Sequence, residues 1–210
     1  MKKNSVKHLT IAALLVAMGI IIPMVMPRIT IGPASFTLAS HVPLFIAMFF
    51  SPWMAIAVGL GTGFGFFLSA TPIIALRALS HILFAVIGAL FLQKYPTIVL
   101  SKNKFVLFNG HFQLFNFVIG LIHSAAELAV VSVFYTMGNM PETYYAQGYI
   151  YSIFLLMGIG GLIHSLIDYN IAYFVANALS KQFDIPVFSQ AKKLEKEKTD
   201  ILPQEMESFI

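Results

Sequence analysis

The chain has 210 residues, 58% of them hydrophobic and only 10% charged, with a mean hydropathy of +0.82. A soluble domain carries about 25% charged residues, so this composition describes a single integral membrane domain. The absence of cysteine rules out disulfides and thiolate metal sites. The formal charge of +4 needs no nucleic-acid partner, because the cations are segregated in a way that fits orientation in a bilayer.

Six apolar stretches, 9–26, 36–50, 53–70, 73–92, 113–137 and 149–179, approach the length needed to cross about 30 Å of hydrocarbon. The expected fold is therefore all-α, an integral membrane protein with six transmembrane helices. Every lysine falls in 1–8, 93–112 or 180–210, while the remaining connections carry only Arg28. The positive-inside rule then puts the N and C termini in the cytoplasm of a multi-pass cell-membrane protein. Residues 1–180 form the membrane domain in this reading, and 181–210 form a polar cytoplasmic tail.

Lys2 and Lys3 ahead of an apolar run imitate a signal peptide. The run is long and no small-x-small cleavage site follows, so it reads as an uncleaved first span ended by Pro23 and Pro27. Residues 27–35 form an outer loop whose prolines and glycine fix its turns, with Ile29 and Ile31 giving it an apolar side. Such a loop suits a lid over a pocket and equally suits a plain surface connector. The second span opens with Thr37, Ser40, His41 and Pro43, and Ser51-Pro52 makes a tight inner turn. In the third span, Gly59/Gly63 and Gly61/Gly65 are overlapping small-xxx-small pairs that permit close helix contact. No Lys-Ser/Thr follows these glycines, so they are no phosphate loop.

The fourth span carries Arg77 and, one turn later on the same face, His81. An arginine inside a bilayer costs at least about 2.5–3.5 kcal/mol. It must therefore snorkel to the headgroups, pair with a carboxylate of the chain, or hold an anionic ligand. Glu127 of the fifth span is the obvious internal partner. Its segment, Gly120-Leu-Ile-His123-Ser-Ala-Ala-Glu127, is echoed by Gly161-Leu-Ile-His164-Ser-Leu-Ile-Asp168 in the sixth. Each copy sets a histidine and a carboxylate four residues apart on one helix face. By depth along the spans, His41, Arg77, His81, His123 and Glu127 converge on the outward side, whereas Asp168 is expected too deep to join Glu127. Tyr144 and Tyr145 of the loop 138–148, with Tyr149 and Tyr151 after it, offer aromatic faces to a flat ligand or to the membrane interface.

The stretch Ile31-Gly-Pro-Ala-Ser-Phe-Thr-Leu-Ala-Ser-His-Val-Pro43, together with Ser51-Pro52, Arg77-Ala-Leu-Ser-His81 and Ala13-Leu-Leu-Val-Ala17, resembles the substrate-binding S components of energy-coupling factor (ECF) vitamin transporters. The resemblance covers residues 6–180 and is most like the niacin-specific type. It implies a non-enzymatic vitamin-binding subunit, without cofactor or metal. The implied partners are a transmembrane coupling subunit and two ATPase subunits, with no nucleic acid. Ala13 and Ala17 would dock on the coupling subunit. The substrate site would draw on Arg77, His81, His41, Glu127, His123, Tyr145, Tyr149 and Arg28. Nicotinate, a flat aromatic carboxylate, suits an arginine fork, and the chain has no P-loop with which to hydrolyse ATP. A stand-alone secondary transporter remains an alternative, as does an intramembrane metal-dependent enzyme built from His123, Glu127, His164 and Asp168.

Overall fold

The computed structural model describes residues 3–31, 34–100 and 109–207. Gly32 and Pro33 of the outer loop, and Lys102 and Lys104 of the basic segment 93–112, lie outside them. The described chain is helical apart from one hairpin, and five of its helical segments are long and apolar enough to cross a membrane.

The first is α1 (Lys3–Val25), which packs chiefly on the third helix. Next comes an antiparallel hairpin, β1 (Arg28–Ile31) and β2 (Ala34–Thr37), with Arg28 paired to Thr37 and Ile29 to Phe36. The loop expected here is thus a small sheet. The second apolar stretch is not among the five helical segments long and apolar enough to cross a membrane. Only α2 (Val42–Met48) is helical, and all seven of its residues are buried. Seven residues rise about 10 Å, a third of the hydrocarbon thickness. The hairpin takes the first part of the stretch and Pro43 starts the helix late, so this apolar run fills the core instead of facing lipid.

Helices α3 (Pro52–Ser69) and α4 (Pro72–Lys94) form the closest pair. Ser51 caps α3 by accepting from the Met54 N–H at 3.0 Å. The alternating glycines work on two sides of α3. A Cβ at Gly59 or Gly63 would fall 2.5 or 2.4 Å from the Ile82 or Leu79 side chain of α4, and one at Gly61 or Gly65 would fall 2.6 or 2.2 Å from Val16 or Ile20 of α1. Small residues let both neighbours approach, and close packing replaces the hydrophobic effect that is missing within lipid.

A single 3-10 turn (Pro96–Val99) leads towards α5 (Gly110–Thr136), and the short α6 (Glu142–Ala146) follows. The last span begins as a π-helical segment (Ile150–Ile159) and continues as α7 (Gly160–Leu179). Tyr169 of α7 is completely buried at the centre of an aromatic core, with ring centroids 5.0 Å from Phe45 and 5.4 Å from Phe112. The final helix, α8 (Pro186–Glu207), starts inside this core. Val187 and Phe188 are buried, and the Val187 N–H donates to the Phe49 carbonyl at 3.2 Å. The polar stretch after residue 180 is therefore anchored to the bundle at its beginning.

Candidate functional site

The hairpin and the turn after it place the first polar groups. Thr37 ends β2, and Ala39 follows with φ +64°, a left-handed conformation that strains a residue bearing Cβ. Asp168 of α7, wholly buried, holds that turn. Its carboxylate accepts the Ala39 N–H at 2.8 Å and the His41 N–H at 2.9 Å, and it also accepts from His41 Nδ1 at 3.1 Å. Ser40 reaches His164 Nε2 at 3.1 Å. A sharp turn leading into a short helix thus aims the His41 ring into the bundle.

Glu127 is the second anchor. It is buried, and its oxygens accept from Arg77 Nε and Nη2, both at 3.2 Å, and from His81 Nε2 at 2.8 Å. The pairing expected between Arg77 and Glu127 is therefore present as a two-pronged contact. About 26% of the Arg77 side chain remains exposed. His123 stands behind Glu127 with Nδ1 2.9 Å from Ser165 Oγ.

These groups meet around His41. Its ring centroid lies 4.9 Å from that of His81, 4.5 Å from His123 and 5.0 Å from His164. Asp168 and Glu127 stay in separate clusters of potential ligand atoms, and His41 belongs to both. The two echoed His–carboxylate segments pack against each other, one on α5 and one on α7, and their histidines flank the His41 ring. Ligand atoms of His41, His81, His123 and Glu127 all lie within 4.8 Å of one another, as do those of His41, His164 and Asp168. Both sets have the residue types that bind a divalent metal.

Above this polar floor is a cavity of about 470 Å³, the size of a small-molecule site. Arg28, His41, Arg77, His81 and Glu127 line it, together with Phe36 and Phe66 as aromatic wall. His123 is buried beneath its neighbours and is not among the lining residues. Tyr145 and Tyr149, expected from sequence at the substrate site, are not among the lining residues either. They cluster with Tyr135 at 4.6 and 5.4 Å, where the Tyr145 hydroxyl donates to the Tyr135 carbonyl and Tyr149 bonds Ser132. The aromatic surface comes instead from the hairpin and α3. Thr37, Ser40 and His164 also line the cavity, outside the substrate site expected from sequence, where His164 and Asp168 entered only the metal-enzyme alternative. The repeated His–carboxylate spacing was the one signal pointing to the last two.

Arg28 differs from Arg77 in its partners. Its guanidinium donates to the Thr37 hydroxyl at 3.3 Å and to the Pro23 carbonyl at 3.2 Å, both neutral. Among the described residues no carboxylate pairs with it. The cavity therefore has two guanidinium groups on its wall and one carboxylate to match them.

A bundle of membrane-spanning helices around a walled, cation-rich cavity of this size defines a multi-pass membrane protein that binds a small solute. The sequence is 48% identical over 195 residues to the niacin transporter NiaX of Lactococcus lactis subsp. cremoris (strain MG1363), covering 92% of this chain and 83% of that protein. The chain belongs to that niacin-transporter family, the niacin-type S components that its motifs resemble, which is a transport family and not an enzyme family. No family model matches the chain, and no solved structure matches it.

Proposed function

We propose that this chain is the substrate-binding S component of an ECF-type niacin importer. In this reading it captures nicotinate in the 470 Å³ cavity and hands it inward with energy from partner ATPases. The observation that carries the ligand assignment is the charge on the cavity wall. Arg77 is neutralised by Glu127, and Arg28 has only neutral partners among the described residues. An apolar cavity with one unmatched guanidinium favours an aromatic anion. The carboxylate would take Arg28 as a fork, assisted by the exposed edge of Arg77, and the ring would lie against Phe36 and Phe66.

Calorimetry on purified protein with nicotinate and its uncharged amide tests this. Losing a buried charged partner costs about 2–5 kcal/mol, so Arg28→Gln should weaken nicotinate binding by more than tenfold. Nicotinamide, which has no charge to match, should change by much less. Equal losses for both ligands would remove Arg28 from the carboxylate site.

Docking to a coupling subunit is supported by the exposure of Ala13 and Ala17 on α1, which leaves both small side chains free of internal packing. Ala13→Leu with Ala17→Leu should abolish assembly and vitamin uptake while leaving nicotinate affinity unchanged. Loss of binding in the same variant would show that this face serves the bundle itself. The orientation follows from the lysines, with both termini cytoplasmic and the hairpin outside. A cysteine at Glu142 should react with an impermeant thiol reagent on intact cells, and cysteines at Lys102 and Glu197 should not. Reaction at Lys102 would invert or break this topology.

A further inference from the structure

We propose that the floor of the cavity is a divalent transition-metal site of the zinc class, with His41, His81 and His123 as its nitrogen donors and Glu127 as its oxygen donor. Sequence alone suggested a different set, His123, Glu127, His164 and Asp168; the four residues brought together here come from α4, α5 and the turn before α2.

The three imidazoles form a compact triangle. Their centroids are 4.5, 4.6 and 4.9 Å apart, and each pair of rings is close to perpendicular, at 76°, 81° and 79°. The donor atoms lie within 4.8 Å of one another. Tetrahedral zinc with bonds of about 2.0–2.1 Å separates neighbouring donors by roughly 3.3 Å, so each side chain need move by less than about 1 Å towards the common centre.

The hydrogen bonds around the rings are those of metal-ligating histidines. A ligating imidazole normally gives its other nitrogen to a carboxylate or hydroxyl, which fixes its tautomer and orientation. His41 Nδ1 donates to Asp168 at 3.1 Å, and a carboxylate can only accept, so in the neutral imidazole Nε2 is the nitrogen available as a ligand. Ser165 Oγ holds His123 Nδ1 at 2.9 Å. His123 Nε2, on a side chain only 2% exposed, is buried without a hydrogen-bond partner, 3.9 Å from Glu127 Oε1. A bonding-capable nitrogen left bare in the interior carries a desolvation cost, which a metal at this position removes. At His81 the metal takes Nε2, the nitrogen now bonded to Glu127, and the single proton of the neutral ring moves to Nδ1. Imidazole donors suit zinc, copper, iron and nickel over magnesium and calcium.

The cavity lies on the open side of this centre. A ligand entering there can add a fifth donor. If the niacin reading holds, the pyridine nitrogen of nicotinate is a suitable one. That second half of the inference rests on the niacin reading, and the metal site itself does not.

The test uses the tag-free full chain in detergent, stripped with a chelator and reloaded with zinc or cobalt(II). One zinc per chain is expected by elemental analysis, together with strong visible absorption from cobalt in a site of low coordination number. His123→Ala and His81→Ala should each lose the metal, and His111→Ala, an exposed histidine outside the cluster, should keep it. Ser165→Ala should lower zinc affinity by about 10–100-fold, the usual loss when an outer partner is removed. This variant keeps all four ligands and guards against a ligand variant that simply misfolds. Retention of zinc in His123→Ala, or a wild-type chain that binds neither zinc nor cobalt, would overturn the site. Nicotinate affinity should fall more than tenfold on chelation, whereas benzoate, which lacks the ring nitrogen, should respond little. A protein that binds nicotinate equally with and without metal retains the niacin reading and loses the coordination. One that holds zinc but never binds nicotinate keeps the metal site and loses the niacin reading.

Discussion

Asp168→Ala is expected to abolish ligand binding and to destabilise the protein more than any other single change in the site. The Asp168 side chain is wholly buried and accepts three hydrogen bonds, two of them from the backbone of Ala39 and His41. Alanine leaves both N–H groups unsatisfied inside the bundle. Removing one partner of a buried charged contact costs about 3–5 kcal/mol, and each orphaned donor carries a desolvation cost of about 1–3 kcal/mol. Ala39 also loses the contact that holds it at φ +64°, a conformation that costs a residue with Cβ about 1–3 kcal/mol. The turn should relax, withdrawing Ser40 and His41 from the cavity and loosening the hairpin that bears Arg28. Asp168→Asn is the informative companion. It keeps one acceptor oxygen, so it should retain folding and lose affinity. Thermal unfolding and calorimetry on both variants check this. Wild-type affinity in Asp168→Ala would show that the turn does not depend on α7.

The second large effect is at Glu127. Glu127→Ala strands the Arg77 guanidinium and His81 together in the interior and should cost about 3–5 kcal/mol. Arg77→Gln with Glu127→Gln should return stability to within about 1–2 kcal/mol of wild type, because no charge is then left alone and two amides can still hydrogen-bond. Nicotinate affinity need not follow stability. Arg77 keeps an exposed edge, and the proposed site uses that edge and Glu127 as well, so the double variant should fold yet bind at least tenfold more weakly. Full recovery of affinity would remove both residues from the ligand site and leave their pairing as structural only.

Much of this was legible in the residues. Composition and the distribution of lysine specify a multi-pass membrane bundle, since a chain with 10% charge cannot cover itself in water. The glycine pairs in α3 announced close helix packing, and the fold uses one pair against α4 and the other against α1. An arginine in an apolar span called for a carboxylate, and Glu127 supplies it. Other features needed the third dimension. The run 36–50 has the hydropathy of a span, but hydropathy cannot distinguish a helix facing lipid from one enclosed by its neighbours. The tyrosines after residue 143 read as aromatic wall because type and proximity in sequence were the only guides. Tyr145 and Tyr149 pack on Tyr135, while Phe36 and Phe66 line the cavity.

Asp168 shows the limit most directly. Depth counted along a helix assumes that every segment crosses the membrane straight. The turn at Ala39–His41 dips inward to meet α7, 127 residues further on in the chain at the His41–Asp168 contact. Sequence determined the solvent this protein lives in, the pairing of its helices and the kinds of group in its interior. Only the tertiary structure decided which of those groups share one cavity, because periodicity is a local property of one helix. Convergence depends on the rotation and tilt of several helices at once, and these are set by packing between residues far apart in the chain.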